Sequence, residues 1–137
     1  MTTVESKVVS IKRLDEDVYK VLSNFKNFTP YAEKAKLENW QADEDWCRFD
    51  VQGIRDAGLQ IIEKEPFKTI KFGGNDKIPF EFNVWIQLKQ VEPYDTRMKI
   101  TLKANLNMMM KMLVGSKLQA GVDGLADQIA AAFIGQV

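Results

Sequence analysis

Alternating apolar and polar residues define the strands in the middle of the chain. Every second residue is apolar between positions 80 and 89, and the same pattern returns between 97 and 104. A period of two places alternate side chains on opposite faces of a strand, so one face of each segment is expected to be buried. The turn sequence EPYD at 92–95 separates the two segments, which we predict to pair as antiparallel neighbours. Trp85 is an exception, because it falls on the polar face.

Five further strands are predicted from β-branched and aromatic residues between turn-forming clusters. The first covers 3–11, and the others cover 37–42, 46–52, 56–64 and 68–72. The turns between the later strands are DED at 43–45, Gly53, EPF at 65–67 and GGNDKIP at 73–79. Together with the two long strands, these segments predict a sheet of seven strands.

A short helical hairpin is predicted between the first and second strands. Asp15 is expected to be the N-cap of a helix over 15–24, and acidic residues fill its first turn. Apolar residues then recur at helical spacing, at Val18, Val21, Leu22 and Phe25. Pro30 follows Thr29 and favours a break before a second short helix within 27–36.

The last third of the chain has helical periodicity throughout and predicts one long helix over 106–134. Its apolar stripe consists of Val114, Leu118, Val122, Leu125, Ile129 and Phe133. At 1.5 Å per residue the helix would be about 42 Å long, so it needs a broad apolar surface, which the buried face of the strands supplies. Three glycines in this helix, Gly115, Gly121 and Gly124, indicate either close approach of a neighbour or a bend.

The sequence NMMMKML at 107–113 contains four of the six methionines of the chain. Successive residues of a helix are about 100° apart, so this turn is apolar on all sides except at Asn107 and Lys111. We expect it to be covered on more than one side, by the helical hairpin or its connecting loop. Flexible thioether side chains suit both core filling and the wall of a pocket that accepts different apolar ligands, and both interpretations remain open.

Composition predicts one globular domain, covering 1–137. Hydrophobic residues make up 45% of the chain, and nineteen basic residues, interspersed along it, balance nineteen acidic ones. This balance predicts neither a nucleic-acid partner nor a footprint for an anionic membrane. No apolar run reaches the roughly 18 residues of a membrane span, and the first residues do not resemble a signal peptide. We therefore expect a cytoplasmic protein with no integral membrane segment.

The absence of histidine and the single cysteine limit the chemistry. Cys47 has no partner for an internal disulfide or a multi-cysteine metal site, and it is expected to be a small buried hydrophobic residue. Without histidine, the Ser/His/Asp and Cys/His nucleophile systems are excluded. We predict no metal and no cofactor. Catalytic residues stay unassigned, because no converging acid–base pair is evident.

The order of elements resembles the START-like superfamily, which includes relatives of the birch-pollen allergen and the bacterial polyketide cyclase/dehydrase and lipid-transport group. DEDVYKVLSNFKNFTPYAE at 15–33 resembles that family's first helix and its bend, and IIEKEPFKTIKF at 61–72 resembles its strand, Glu-Pro turn and strand. The resemblance implies an α+β helix-grip fold. In this fold a curved seven-stranded antiparallel sheet wraps around a long C-terminal helix, and a short helical hairpin lies between strands 1 and 2.

The helix-grip resemblance also implies a cavity between the sheet and the C-terminal helix. The leading hypothesis is a carrier or sensor that binds a hydrophobic or lipid-like small molecule there. The predicted ligand-binding residues are Phe82, Val84, Ile86, Met98, Ile100, Met109, Met112 and Leu113. Lys117 is a candidate partner for an anionic head group at the cavity mouth, although snorkelling of its alkyl stem to solvent is the simpler explanation.

Two alternatives to the carrier remain open. The first is an enzyme similar to the polyketide cyclases, which would use the same cavity and would need tyrosine, carboxylate or arginine groups for proton transfer. The second is a protein-binding surface similar to that of the family's co-chaperone members, for which Trp85 is the only indication. An exposed Trp85 is also compatible with a homodimer contact, although incidental exposure of a single aromatic side chain is the simpler explanation.

Overall fold

An antiparallel sheet forms the centre of the computed structural model, which describes residues 1–134. Its strands are β1 (Thr2–Glu5), β2 (Val9–Ile11), β3 (Glu38–Ala42), β4 (Trp46–Val51), β5 (Ile54–Glu65), β6 (Thr69–Gly74), β7 (Phe82–Glu92) and β8 (Asp95–Ala104). The order across the sheet is β1, β8, β7, β6, β5, β4 and β3, and β2 pairs with β8 as β1 does. The predicted α+β helix-grip architecture is confirmed, with seven strand positions.

The predicted first strand is interrupted at Ser6, which divides it into β1 and β2. Glu5 pairs with Thr101 and Val9 pairs with Met98, so four steps along the first strand oppose three along β8. Buried Ser6 bridges the irregularity, because its backbone N–H donates to the Ile100 carbonyl and its Oγ accepts the Ile100 N–H, both at 2.8 Å. This bulge keeps the two pieces beside the same partner strand.

The register of β7 and β8 matches the alternation of their sequences. Ile86 lies opposite Ile100 and Leu88 lies opposite Met98, and all four side chains are buried. Trp85, opposite Thr101, lies on the other face of the sheet. Strand β7 begins at Phe82, two residues later than predicted, and Phe80 packs before it with its ring centroid 5.5 Å from that of Phe82.

The helical hairpin consists of α1 (Asp15–Leu22), a 3₁₀ turn (Phe25–Phe28) and α2 (Thr29–Lys34). Asp15 is not the N-cap, so that prediction is wrong: Leu14 occupies the capping position, and its carbonyl accepts the Val18 N–H at 3.1 Å. The helix begins there because the Gln90 side chain accepts the Asp15 N–H at 2.9 Å, which leaves Asp15 in the first turn. Acidic residues in that turn still interact favourably with the helix dipole.

The C-terminal helical segment extends from Met108 to Ala132 and is interrupted once. Helix α3 (Met108–Val114) is followed by a 3₁₀ turn (Gly115–Lys117) and by α4 (Leu118–Ala132). The interruption begins at Gly115, which agrees with the bend that its glycines indicate. Val122 and Ala126 of α4 are buried, and Phe133 closes the end of the core. Within residues 1–134, no helix is both long and apolar enough to span a bilayer.

One lysine in the β1–β2 junction anchors α4 to the sheet. The Lys7 backbone N–H donates to Asp123 Oδ1 at 2.7 Å, and the Lys7 ammonium lies 2.8 Å from Asp127 Oδ2. Gln119, one turn before Asp123, donates to the Glu5 carbonyl at 2.7 Å. These bonds hold one side of α4 along the first strand.

Candidate functional site

A hydrophobic cavity of about 250 Å³ lies between the sheet and the C-terminal helical segment. This is the position that the helix-grip resemblance implies. Its sheet wall consists of Val84, Ile100 and Leu102. Its helical wall consists of Val114, Lys117, Leu118, Gly121, Val122 and Leu125.

The sheet wall is set by the pairing of β7 with β8. Val84 lies directly opposite Leu102, and Ile100 follows two residues from Leu102 on the same face. Ile100 is completely buried, whereas Val84 and Leu102 are half-buried. The cavity therefore lies over the closed core, with Ile100 at its floor.

The helical wall is set by the spacing of apolar residues along α4. Leu118, Val122 and Leu125 follow one another at intervals of four and three, which places them on one face of the helix. Val122 is buried, while Leu125 is 43% exposed and Val114 is 38% exposed. The partial exposure of Leu125 and Val114 shows that the cavity opens to solvent at this rim.

Gly121 leaves space in the cavity wall. A Cβ placed on Gly121 would meet no other atom within 4 Å, and the same is true at Gly115 and Gly124. The alternative of close approach by a neighbour is therefore wrong for these glycines. A Cβ at position 121 would therefore lie in open space at the cavity wall.

Lys117 is the one charged residue in the wall. It lies in the 3₁₀ turn between α3 and α4 and is exposed, and only its apolar atoms contribute to the wall. The other lining residues are aliphatic or glycine. The cavity therefore provides apolar burial, and its wall contains no carboxylate or hydroxyl group for an acid–base pair.

The predicted ligand-binding residues lie in three different environments. Val84 and Ile100 line the cavity. Ile86 and Met98 are buried in the closed core, and Phe82 is half-buried next to Phe80. The side chains on α3 are exposed: Met109 by 70%, Met112 by 81% and Leu113 by 66%. Ligand contact by these eight residues stays a prediction.

The other wall residues were missed, although the sequence contained the signal. Leu102 belongs to the alternating pattern of β8, and Val114, Leu118, Val122 and Leu125 belong to the apolar stripe of the last helix. The stripe indicates which residues face the sheet. It does not indicate where the helix stands away from the sheet and leaves a void.

The methionine-rich turn is not covered by the helical hairpin, so that prediction is wrong. Helix α3 follows the Ala104 end of β8 and contains no buried residue. The start of α1 is bound by Gln90 of β7, and Phe25, after α1, packs against Phe72 of β6 with ring centroids 5.6 Å apart. The hairpin therefore packs on the sheet and leaves the side chains of Met108, Met109 and Met112 exposed.

Trp85 lies on the opposite face of the sheet from the cavity, between two lysines. The ammonium groups of Lys71 and Lys103 lie 5.3 and 5.5 Å from the centre of its rings. These distances fit cation–π contacts on both sides of the indole. The ring is half-buried, and it packs with both lysine side chains on this face. Trp85 also stays the candidate residue for a contact with a partner protein or a second copy of the chain.

Two further polar or reactive groups have structural explanations. Cys47 is 1% exposed, and burial raises the pKa of its thiol to about 11, which keeps it protonated near neutral pH.

Asp50 lines a polar depression near β3 and accepts the Asp56 N–H at 2.8 Å and the Asn39 amide at 2.6 Å. The hydrogen bond from the Asp56 backbone, followed by that from Asn39, lowers the pKa of Asp50. Among residues 1–134 no cluster of carboxylates and cysteine suits a metal ion.

Comparisons with solved structures define the fold class. No protein-family model and no curated protein sequence matches the chain. Norcoclaurine synthase from Thalictrum flavum is similar with a TM-score of 0.74 at 9% identity, over 99% of this chain and 94% of that one. A START superfamily protein from Mycobacterium smegmatis is similar with a TM-score of 0.61 at 15% identity, over 95% and 98%.

An Aha1 protein from Colwellia psychrerythraea, solved as a dimer, matches over the full length of both chains. Its TM-score is 0.66 and its identity is 17%. At these identities the likeness shows the fold and not the activity. The chain has the START-like, helix-grip fold.

Proposed function

We propose that this protein binds a hydrophobic or lipid-like small molecule in the cavity between the sheet and the C-terminal helix, as a carrier or sensor. The observation that carries the proposal is the composition of the wall, in which every residue except Lys117 is aliphatic or glycine. Removal of apolar surface from water contributes about 25 cal/mol per Å², so such a wall favours an apolar guest.

The volume of the cavity limits the size of that guest. An apolar cavity of about 150 Å³ holds benzene, whereas pockets for drug-sized ligands measure roughly 300–1,000 Å³. The cavity here, at about 250 Å³, lies between these values. It therefore fits one aromatic ring or a short acyl chain, and a longer chain would extend past the exposed rim at Leu125 and Val114.

Lys117 would orient a guest that carries a negative charge. Its apolar atoms contribute to the wall, and rotation of the side chain would bring the ammonium to the acidic group of a carboxylate or sulfonate whose apolar part lies in the cavity. A few polar groups at the edge of an apolar pocket commonly fix ligand orientation in this way. The proposed class of guest is therefore a small apolar acid.

Binding without catalysis is proposed because the wall provides no acid–base pair. Norcoclaurine synthase, with a similar fold, is an enzyme by name, and the Aha1 neighbour was solved as a dimer. Neither property is carried over by the fold alone. The proposal treats 1–137 as one domain that acts in the cytoplasm without a cofactor.

The proposed contacts begin with Val84 and Ile100, which were predicted from the sequence and line the cavity. Ile86 and Met98 would lie beneath the guest, in the core beside Ile100. Phe82, the first residue of β7, would lie at the end of the strand that carries Val84. Contact of a guest with Met109, Met112 or Leu113 would require a guest long enough to leave the cavity at the α3 end.

The test is binding of the fluorescent dye 8-anilinonaphthalene-1-sulfonate, with one aromatic ring in the cavity and the others past its exposed rim, followed by displacement with short-chain fatty acids. Gly121→Leu places a side chain in the cavity, and we expect it to weaken dye binding by about tenfold or more, through lost volume. Gly124→Leu is the matched control on the same helix, outside the lining residues, and should bind as the wild type does. Absence of displaceable dye binding in the wild-type protein, or equal weakening in both variants, would contradict the proposal.

The homodimer interpretation of Trp85 needs a separate measurement. Sedimentation equilibrium of the wild-type protein and of Trp85→Ala would detect a dimer that depends on this ring. Lys71 and Lys103 flank the indole, so a two-fold contact at Trp85 would bring four lysines together and would weaken with decreasing salt. A monomer under all conditions would remove the homodimer interpretation.

A further inference from the structure

Helix α3 presents an apolar surface to solvent. Met108, Met109, Met112 and Leu113 fall within an arc of about 140° around the helix axis, at 100° per residue. All four are at least 66% exposed. Met110, on the other side of the helix, is half-buried. The apolar arc therefore faces outward, and no side chain of residues 1–134 covers it.

The helix that carries this arc is already formed in the free protein. Asn107 caps its N-terminus, because its side-chain oxygen accepts the Met110 N–H at 2.8 Å. Its backbone carbonyl also accepts the Lys111 N–H at 3.0 Å. A partner that binds the arc would thus not have to order the helix first.

The charged residues of the segment that carries the arc are all positive. Between positions 105 and 122 the charged residues are Lys111 and Lys117, and no acidic residue occurs. Lys111 lies beside Met108 at the edge of the arc, by the same spacing of 100° per residue. The first acidic residues of α4, Asp123 and Asp127, are engaged by Lys7 at the β1–β2 junction. The even charge balance of the whole chain thus conceals a locally basic segment.

We propose that α3 docks this protein onto the surface of an anionic lipid bilayer. The side chains of the apolar arc would insert between the lipid head groups, and Lys111 and Lys117 would lie next to the head-group phosphates. An amphipathic helix with apolar side chains on one face and lysines at its edge has the composition that favours this placement. The docking can be tested separately from the proposed function, because Met109, Met112 and Lys111 lie outside the cavity wall and because docking needs no bound guest.

The dimensions of the arc favour a bilayer over a protein partner. Seven residues at 1.5 Å each make a helix of about 10 Å, too short to bury the roughly 800 Å² per partner of a stable protein interface. A second copy of the chain would also bring Lys111 towards its own equivalent. A fluid surface needs no matching shape, and flexible methionine side chains adapt to it.

Docking of α3 would bring the mouth of the cavity to the lipid. Val114, the last residue of α3, and Lys117, in the turn that follows, both belong to the cavity wall. An apolar guest would then pass between bilayer and cavity without crossing water. The step is a transfer by partition and involves no covalent change.

Flotation of the full-length protein with vesicles tests the docking. The vesicles contain phosphatidylcholine alone or with roughly one third phosphatidylglycerol, at low and at physiological salt. We expect flotation with the anionic vesicles, and a decrease as salt rises. Met109→Ser/Met112→Ser should lower the partition coefficient by about tenfold or more, and Lys111→Gln by about fivefold.

The matched control replaces two exposed large side chains at the far end of the long strands. Val91 is 47% and Tyr94 61% exposed, and Val91→Ser/Tyr94→Asn should float as the wild type does. Failure of the wild-type protein to float, or equal loss in the double variants, would overturn the proposal. So would flotation that is equal with neutral and anionic vesicles. A dimer in sedimentation equilibrium that Met109→Ser/Met112→Ser dissociates would also overturn it, because a second copy would then occupy the arc.

Discussion

Val84 on β7 lies directly opposite Leu102 on β8, and both side chains face the cavity. The pair forms the part of the sheet wall that is not closed by the core, because Ile100, beside it, is completely buried. The size of these two side chains therefore sets the depth of the cavity. Substitutions here change its volume, and at Val84 they also affect the core, against which this side chain packs.

Leu102→Ala should enlarge the cavity at a moderate cost in stability. At a fully buried position, Leu→Ala lowers the free energy of unfolding by about 2–5 kcal/mol. Because Leu102 is half-buried, we expect a loss of about 1–3 kcal/mol. Urea denaturation measures the loss, and displacement of the dye by fatty acids of increasing length should shift towards longer chains. Leu125→Ala, at the exposed rim, is the control and should cost less. Equal losses of stability in Leu102→Ala and Leu125→Ala would contradict the assignment of Leu102 to the inner part of the cavity wall.

Gly121→Ala should stabilise the protein. The added methyl group meets no atom within 4 Å, and alanine favours a helix over glycine by up to about 1 kcal/mol. Thermal or urea unfolding measures the gain. Gly58→Ala is the opposite control, because its Cβ would lie 2.6 Å from the Asn75 side chain and 3.3 Å from the Cys47 carbonyl, and we expect it to destabilise. A loss of stability in Gly121→Ala would show that the space at this position is not free.

Ser6→Ala should destabilise the junction of β1 and β2. The substitution removes the Oγ that accepts the buried Ile100 N–H at 2.8 Å, and a buried donor without a partner costs about 1–3 kcal/mol. Urea denaturation of Ser6→Ala and of Ser116→Ala, an exposed serine in the 3₁₀ turn, measures the difference. We expect Ser116→Ala to be within about 0.5 kcal/mol of the wild type. A similarly small effect at Ser6 would mean that the strand closes the gap without the hydroxyl.

Asp95 should contribute an acid-sensitive part of the stability. Hydrogen bonds from Arg97 and Ser10 lower the pKa of its carboxyl from 3.8 to about 2 in the folded protein. Because the folded-state pKa is depressed, the contribution is fully present above the unfolded value of 3.8 and is lost as the pH falls through about 2.

Unfolding midpoints of the wild type and of Asp95→Asn test this pH dependence. The variant should be less stable near neutral pH, and the difference should shrink as the pH falls from about 4 to about 2. Asp76→Asn, in the exposed turn before β7, controls for the loss of a surface carboxylate. A difference that is constant over this range would show that the Asp95 carboxylate does not carry the effect.

Periodicity predicted the strands of this protein because the sheet has one buried face. Apolar residues such as Ile86, Leu88 and Met98 occupy every second position of their strands. A shift of one residue in the pairing register would expose them all. The terminal helix and its face towards the sheet were predicted on the same basis. The prediction that Asp15 caps α1 was wrong. The Gln90 side chain, 75 residues away, binds the Asp15 N–H, and the local sequence does not indicate such a bond.

The candidate site could be predicted only in part. Val84 and Ile100 belong to an alternation that the sequence displays, but the alternation does not distinguish a residue in the closed core, such as Met98, from one at a void. Exposure of the methionines on α3 was missed for a related reason. An apolar turn usually indicates burial, and the sequence does not show that α3 lies at the surface with no buried side chain.

The anchoring of the C-terminal segment is concentrated on α4, through Lys7, Asp123 and Asp127, whereas α3 buries no side chain. Mutations in α3 therefore cost little folding energy, and those in the strands beneath α4 cost much. Homologous proteins should thus diverge fastest between 108 and 114, where binding preference can change from one lineage to another while the scaffold is inherited intact.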